Sequence, residues 1–299
     1  MSKTDINLMT LNSNTQQFAF YISFHSMISK YKEREKMKIL YFTGTGNNLY
    51  VSKRIGGELL SIPRLLKEKQ FDIKDDAVGI VVPCYYFTVP YIVKEYLEQI
   101  NIEADYVFAI MTYGKIMGGG LNPIEKILKR KGVEVDYSNK IQMIDNFLPN
   151  FEMEQQLKTE DAKNIEAQIK TIVTDIQNRK KEKKRIGLIQ KTATTLSGKM
   201  MFSASGRKRI QKMSAGFYVT DDCTGCKICQ DVCPRGNVDQ RAEEETKFGP
   251  KFGNRCESCL ACIHLCPENA IHLKSQKSSA RFKNRNVTTA EIIAANSQN

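Results

Sequence analysis

The 299-residue chain has no tryptophan and three histidines, and no apolar run approaches the roughly 20 residues that a membrane-spanning helix needs. Any ring used for stacking must therefore be Tyr or Phe. His25, His264 and His272 form no Ser/His/Asp or Cys/His set, and each reads as an ordinary residue. The most apolar N-terminal stretch, residues 18–24, is short and contains Tyr21 and Ser23, with no small-residue cleavage site close behind it. No secretory leader or helical anchor is expected on these grounds, and the chain is expected to be cytoplasmic. Hydrophobic residues make up 41% of the chain, enough for a real core, and the length suits about two domains.

The first 36 residues differ from the rest. Asn, Gln, Ser and Thr dominate them, and a charged run at 30–36 precedes Met37, where a strand pattern begins. Residues 1–36 are read as a loosely attached, disordered extension, or else Met37 is the natural start.

Cysteine is abundant and concentrated. Eight of the nine fall within residues 223–266, and the ninth is Cys84, read as a small buried hydrophobe. Disulfide-dense chains are usually small and secreted, whereas here a cysteine-poor, core-forming segment comes first. Cys223-Thr-Gly-Cys226-Lys-Ile-Cys229-Gln-Asp-Val-Cys233-Pro234 has the same spacing as Cys256-Glu-Ser-Cys259-Leu-Ala-Cys262-Ile-His-Leu-Cys266-Pro267, 33 positions later. Three thiolates two residues apart can take three irons of one cubane while the chain turns tightly. The fourth, after a longer step, reaches the other cluster. One cluster is expected on Cys223, Cys226, Cys229 and Cys266, and the other on Cys256, Cys259, Cys262 and Cys233. Zinc sites more often pair C-x-x-C units across a longer gap and fit this string less well. Pro234 and Pro267 fix the exit of the chain. Residues 216–275, including Phe217-Tyr218-Val219 and Ala270-Ile271-His272-Leu273, resemble the bacterial two-cluster ferredoxins, a small α+β fold. The stretch 235–255 is longer than in the minimal ferredoxins and charged, and a surface hairpin is expected there.

From Met37 onward, apolar runs alternate with amphipathic ones. Residues 38–43, 77–83 and 105–112 read as buried strands, 141–144 as a weaker one, and a second strand near 58–62 is the least clear. Residues 47–60, 89–100 and 122–131 read as helices. This alternation predicts an α/β doubly wound parallel sheet covered on both faces. The first strand–helix turn, Thr43-Gly44-Thr45-Gly46-Asn47-Asn48, is neither G-x-G-x-x-G nor a Walker A, but its N–H groups can converge on an anion at a helix N-terminus. Two later loops lie at the ligand-binding edge of such a sheet. They are Pro83-Cys84-Tyr85-Tyr86-Phe87 and Thr112-Tyr113-Gly114, the latter followed by Gly118-Gly119-Gly120. The three loops resemble the FMN site of the flavodoxins, and that resemblance implies FMN, its phosphate on 43–48 and its ring beside the tyrosines. The alternative is a flavodoxin-like fold without flavin.

Residues 153–184 read as one long polar helix, with Ile165, Ile169, Ile172 and Ile176 at helical spacing. Residues 179–212 carry twelve Lys or Arg against one acid, Glu182, within a formal net charge of +12. Two thiolate-ligated clusters would lower that total by about four and an FMN phosphate by about two more. The basic segment reads as a solvated connector or as a docking face for an acidic redox partner. No nucleic-acid-binding module is visible.

From Met37 to the tail, including Arg281-Phe-Lys-Asn-Arg-Asn-Val-Thr288, the chain resembles fusions of a flavodoxin-like domain with a two-cluster ferredoxin, found mainly in anaerobes. The expected division is 1–36 extension, 37–152 flavodoxin-like FMN domain, 153–215 helical basic connector, 216–275 ferredoxin domain and 276–299 tail. The expected function is electron relay through two [4Fe–4S] clusters and FMN. The alternatives are a flavin-dependent reductase of a small substrate, for which Tyr113 would be a candidate proton donor, and a docking subunit of a larger redox complex.

Overall fold

The computed structural model describes residues 36–115, 119, 121–183, 188–240 and 249–298. The extension 1–35, Gly118, Gly120, the basic residues 184–185 and the charged stretch 241–247 lie outside them. In chain order the first part comprises β1 (Met37–Tyr41), α1 (Asn47–Ile55), β2 (Glu58–Ser61), α2 (Ile62–Glu68), β3 (Asp72–Lys74) and β4 (Ala77–Pro83). It continues with α3 (Tyr91–Gln99), β5 (Asn101–Glu103), β6 (Tyr106–Tyr113), α4 (Leu121–Arg130) and β7 (Tyr137–Gln142). Then come α5 (Met153–Lys158), α6 (Ile165–Gln177) and β8 (Glu182–Lys183).

Six strands form a parallel sheet in the order β2-β1-β4-β6-β7-β8, while β3 and β5 pair with each other outside it. Without that small pair, the order in sequence is 2-1-3-4-5-6, the flavodoxin-like winding extended by one strand. Strands β4 and β6 are continuous apolar runs because both faces of the sheet are covered. Alternate side chains serve two cores. Ile39, Tyr41, Val81 and Ile110 pack with Leu49 and Val51 of α1 and Ile169 and Ile172 of α6. Leu40, Phe42, Ile80 and Val82 pack with Ile92, Tyr96 and Leu97 of α3 and Ile124 and Leu128 of α4. Each such side chain contributes about 1.5–3 kcal/mol on burial.

Two sequence expectations change. Helix α1 stops at Ile55 because Gly56 and Gly57 take positive φ, which frees Glu58–Ser61 to form the edge strand β2. The helix expected over 153–184 is broken at Asn164, which is left-handed at φ +47 and opens α6. The isoleucine spacing holds within α6, where Ile169, Ile172 and Ile176 are buried. After Arg179, also left-handed, the chain adds β8 to β7.

The second part comprises α7 (Leu188–Met201), α8 (Ala204–Gln211), β9 (Phe217–Val219), α9 (Ile228–Asp231), β10 (Val238–Gln240) and β11 (Pro250–Phe252). It ends with α10 (Ala261–His264), β12 (Ile271–Leu273) and α11 (Thr289–Asn296). Strands β9 and β12 pair antiparallel, Phe217 opposite Leu273. The hairpin expected over 235–255 is present in its flanks, β10 against β11. No helix among the described residues is long and apolar enough to cross a membrane.

Gly79, in the middle of β4, faces the Phe108 ring of β6, and a Cβ there would run into it. Gly79→Ala is expected to lower stability by about 1–3 kcal/mol through overpacking, read from denaturant unfolding. An unchanged midpoint would show that the ring has room to move.

Candidate metal centres

The cysteine repeat is a repeat of backbone as well as spacing. Gly225, Lys227 and Gly236 take positive φ, and so do Ser258, Leu260 and Asn269, each 33 positions later. The one-turn helices α9 and α10 stand in the same relation. So do two hydrogen bonds to sulfur: Asn237 N–H donates to Cys233 Sγ at 3.2 Å and Ala270 N–H to Cys266 Sγ at 3.3 Å. Ser258 N–H donates to Cys256 Sγ at 3.3 Å. None of the nine cysteines is in a disulfide.

The thiols gather in two groups. Cys229 lies in the field of Cys226, Cys266 and Cys223, and burial above all pushes its thiol up to about 12. Cys262 lies in the field of Cys259, Cys233 and Cys256, with Cys229 beyond them. Burial raises the Cys256 thiol to about 11 and drives those of Cys259 and Cys262 well above their usual range. A thiolate in such a dry place needs cations beside it, which iron supplies. Among the described residues no three His, Cys, Asp or Glu groups are placed to hold a single metal ion. In a cubane each thiolate takes its own iron, so four thiols surround a larger body. Two groups of four thiols, with N–H groups turned to three of the sulfurs, fit such clusters.

The two repeats face different surroundings. The second reads Leu260, Ala261, Ile263 and Leu265 where the first has Lys227, Ile228, Gln230 and Val232. The apolar set is buried, and Ala261 and Leu265 share the core on the α1 side of the sheet with Val287 and Ile292 of the tail. Cys226 is exposed, whereas Cys262 and Cys233 are buried.

Several polar residues that the spacing does not reveal hold this arrangement. The Glu257 carboxylate, nearly solvent-free, accepts from Ile92 N–H at 3.0 Å in the first turn of α3, a helix with no side-chain cap of its own. It also pairs with Arg235 Nε at 2.7 Å, and Arg235 Nη1 reaches Glu95 at 2.7 Å. His264 is neutral, held down to about 4 by burial. Its Nδ1 accepts from Phe282 N–H at 3.2 Å, which leaves Nε2–H to donate to Asn146 O at 2.8 Å. The available signal was departure from the repeat, since Glu257 and His264 stand where the first copy has Thr224 and Asp231.

The three loops expected to hold FMN meet at the ends of β1, β4 and β6, as predicted; the first is closed, while Tyr86 and Phe87 of the second are exposed. Thr43, Thr45 and Asn48 are 1–2% exposed. The cavity left among the loops, lined by Gly44, Asn47, Pro83, Tyr85, Thr112 and Asp145, measures about 60 Å³. Pockets that take a ligand of drug-like size measure about 300–1,000 Å³. Tyr85 stands edge-on to Phe42 beside Cys259. Tyr86 and Phe87 form a two-residue turn with positive φ at both, Tyr86 edge-on to Phe147 and bonded to Ser258. Tyr113 lies under Lys140. Gly114 is packed so closely on Asp145 that a Cβ would strike the carboxylate. The residues lie at the strand ends where predicted, and the space they leave between them is smaller than a flavin pocket. Cys84, expected to be buried, is half-buried against the α3 side of the sheet, and desolvation pushes its thiol up to about 12.

Glu257→Ala removes the acceptor of Ile92 N–H and leaves the half-buried Arg235 with Glu95 alone. A loss of about 3–5 kcal/mol is expected in denaturant unfolding. A change below about 0.5 kcal/mol, typical of a surface site, would count against the strut.

A family model of the 4Fe-4S dicluster domain matches residues 222–287. An uncharacterized ferredoxin of Methanocaldococcus jannaschii is 35% identical over 66 residues, covering 22% of this chain and 86% of that one. A component of an ion-translocating oxidoreductase complex of Methanosarcina acetivorans is 36% identical over 53 residues, covering 17% of this chain and 18% of that protein. Among solved structures, rubredoxin oxygen:oxidoreductase of Desulfovibrio gigas superposes with a TM-score of 0.31 and 11% identity, over 48% of this chain and 37% of that one. Strand order and register, not that loose superposition, define the sheet. With a ferredoxin matched over most of its length and the ligand spacing duplicated, the chain belongs to the dicluster ferredoxins, here fused behind a flavodoxin-like sheet.

Proposed function

We propose that the protein transfers electrons through two [4Fe–4S] clusters, one on Cys223, Cys226, Cys229 and Cys266 and the other on Cys256, Cys259, Cys262 and Cys233. The observation that carries this reading is the coincidence of two thiol groups with a backbone repeated at the same 33-residue step. Each cluster, when bound, supplies a one-electron couple whose potential depends on hydrogen bonds to sulfur and on solvent exposure. The exposed Cys226 puts the first group nearest to solvent, and the second group is set against the sheet. Burial makes the two groups unequal: the first is the more open to solution at Cys226, and the second has both Cys262 and Cys233 buried.

The partner surface is narrower than the whole basic segment. Lys180, Lys181 and Lys183 are engaged in ion pairs with Glu182, Asp136 and Glu134 at the far edge of the sheet. Arg207, Lys208, Arg209 and Lys212 are exposed along α8 and its end, beside Ile210, whose carbonyl accepts from Ser258 Oγ next to Cys256 and Cys259. An acidic redox partner would be steered to this ridge.

Because the fourth ligand crosses between repeats, Cys266→Ser is expected to abolish the same cluster signal in electron paramagnetic resonance as Cys226→Ser, and Cys233→Ser the same one as Cys259→Ser. Loss of the signal shared within each contiguous repeat instead would overturn the assignment. Oxidation of the reduced protein by anionic ferricyanide is expected to slow with added salt and to fall about tenfold in an R207E/K208E/R209E variant at low salt. Salt-independent rates would remove the case for a steering ridge.

A further inference from the structure

The turn after β1 has the composition of a phosphate loop, yet its neighbours are the chain itself. Asn284 N–H donates to Thr45 O at 2.9 Å, and Asn284 Nδ2 donates to Asn47 Oδ1 at 3.1 Å. Asn296 Nδ2 donates to Thr43 O at 2.9 Å and also lies 3.3 Å from Val232 O, at the end of the first cysteine repeat. Asn146 Nδ2 donates to Thr45 Oγ1, and Thr112 Oγ1 donates to Asn48 Oδ1 at 2.9 Å.

The two glycines explain why the loop is small. A Cβ at Gly44 would stand 3.0 Å from Cys259 O and 3.3 Å from Cys259 Cβ. One at Gly46 would stand 3.1 Å from Asn284 Cβ and 3.2 Å from Val287 Cβ. In a phosphate cradle such glycines let the backbone approach an anion. In this chain they let it approach the second cysteine repeat and the tail. The about 60 Å³ left among the loops has no room for a three-ring system, and the tyrosines that would stack on one are engaged elsewhere.

We propose that the turn at 43–48 is a socket for the ferredoxin module and the tail, and that this chain takes no FMN there. The flavodoxin-like sheet then serves to hold the Cys259 side of the inner thiol group at its edge. This rests on the two-cluster reading, and iron and sulfide counts on the same samples test that reading separately.

The test uses the full chain, purified without oxygen and loaded with clusters. FMN titration is expected to show no saturable binding. Gly44→Ala asks Cys259 to shift by a few tenths of an ångström, which the fold can absorb, and is expected to alter one cluster's resonance signal while the other stays unchanged. Asn284→Ala, the second variant, is expected to speed proteolytic cleavage of residues 276–298 with FMN still unbound. Saturable binding of one FMN per chain, abolished by Gly44→Ala with both cluster signals intact, would overturn the proposal. So would unchanged cleavage of the tail in Asn284→Ala.

Discussion

The structure depends on one close approach: the backbone of Gly44, at the end of the first strand, against Cys259 of the second cysteine repeat. A Cβ at residue 44 would stand 3.0 Å from Cys259 O, so the two segments would part by a few tenths of an ångström. The seam then closes in layers. Asn296 joins Thr43 to Val232, His264 joins Asn146 to Phe282, and Glu257 caps the helix that begins at Tyr91. Apolar groups from the sheet, α6, the second repeat and the tail share one core. A sheet edge that in flavodoxin-like folds faces a ligand here faces the chain's own metal-binding segment.

Burial along that seam separates the two thiol groups. The repeats are alike in ligand spacing and backbone, so their differences lie in what surrounds them. The first, with Lys227 and Gln230, stays near water. The second sets Ala261 and Leu265 into the sheet's core, beside Val232 of the first, and buries Leu260 and Ile263 among Ile144, Val238 and Ile271. Since exposure and hydrogen bonding to sulfur set a cluster's potential, a duplicated motif packed asymmetrically yields two unequal sites.

Much of this was legible in the sequence, for physical reasons. Strands β4 and β6 announce themselves as apolar runs because both their faces are covered, and the cysteine spacing is dictated by ligand geometry. Strand β2 was hard to see because Glu58, Leu59 and Leu60 lie at a partly exposed edge. Strand β8, two charged residues, carries no local signal; it exists through pairing with β7 and the ion pairs of Lys181 and Lys183. The break at Asn164 follows from a left-handed residue that helical periodicity does not show. The flavin loops were placed correctly, but their contacts with residues 259, 284 and 296 carry no local signal. Asn284 and Asn296 are ordinary in sequence, and their bonds to the first turn span more than 200 residues.

Hydrogen exchange of the cluster-loaded protein tests the seam most directly. The loop 43–48 lies at a position that would face solvent in a sheet standing alone. If it is a socket, its amides are protected to the same degree as those of α11 and α10, and mild denaturant releases all three segments together. Rapid exchange at 43–48 with α10 and α11 still protected would show that the loop stands free of the ferredoxin module, and would contradict the account.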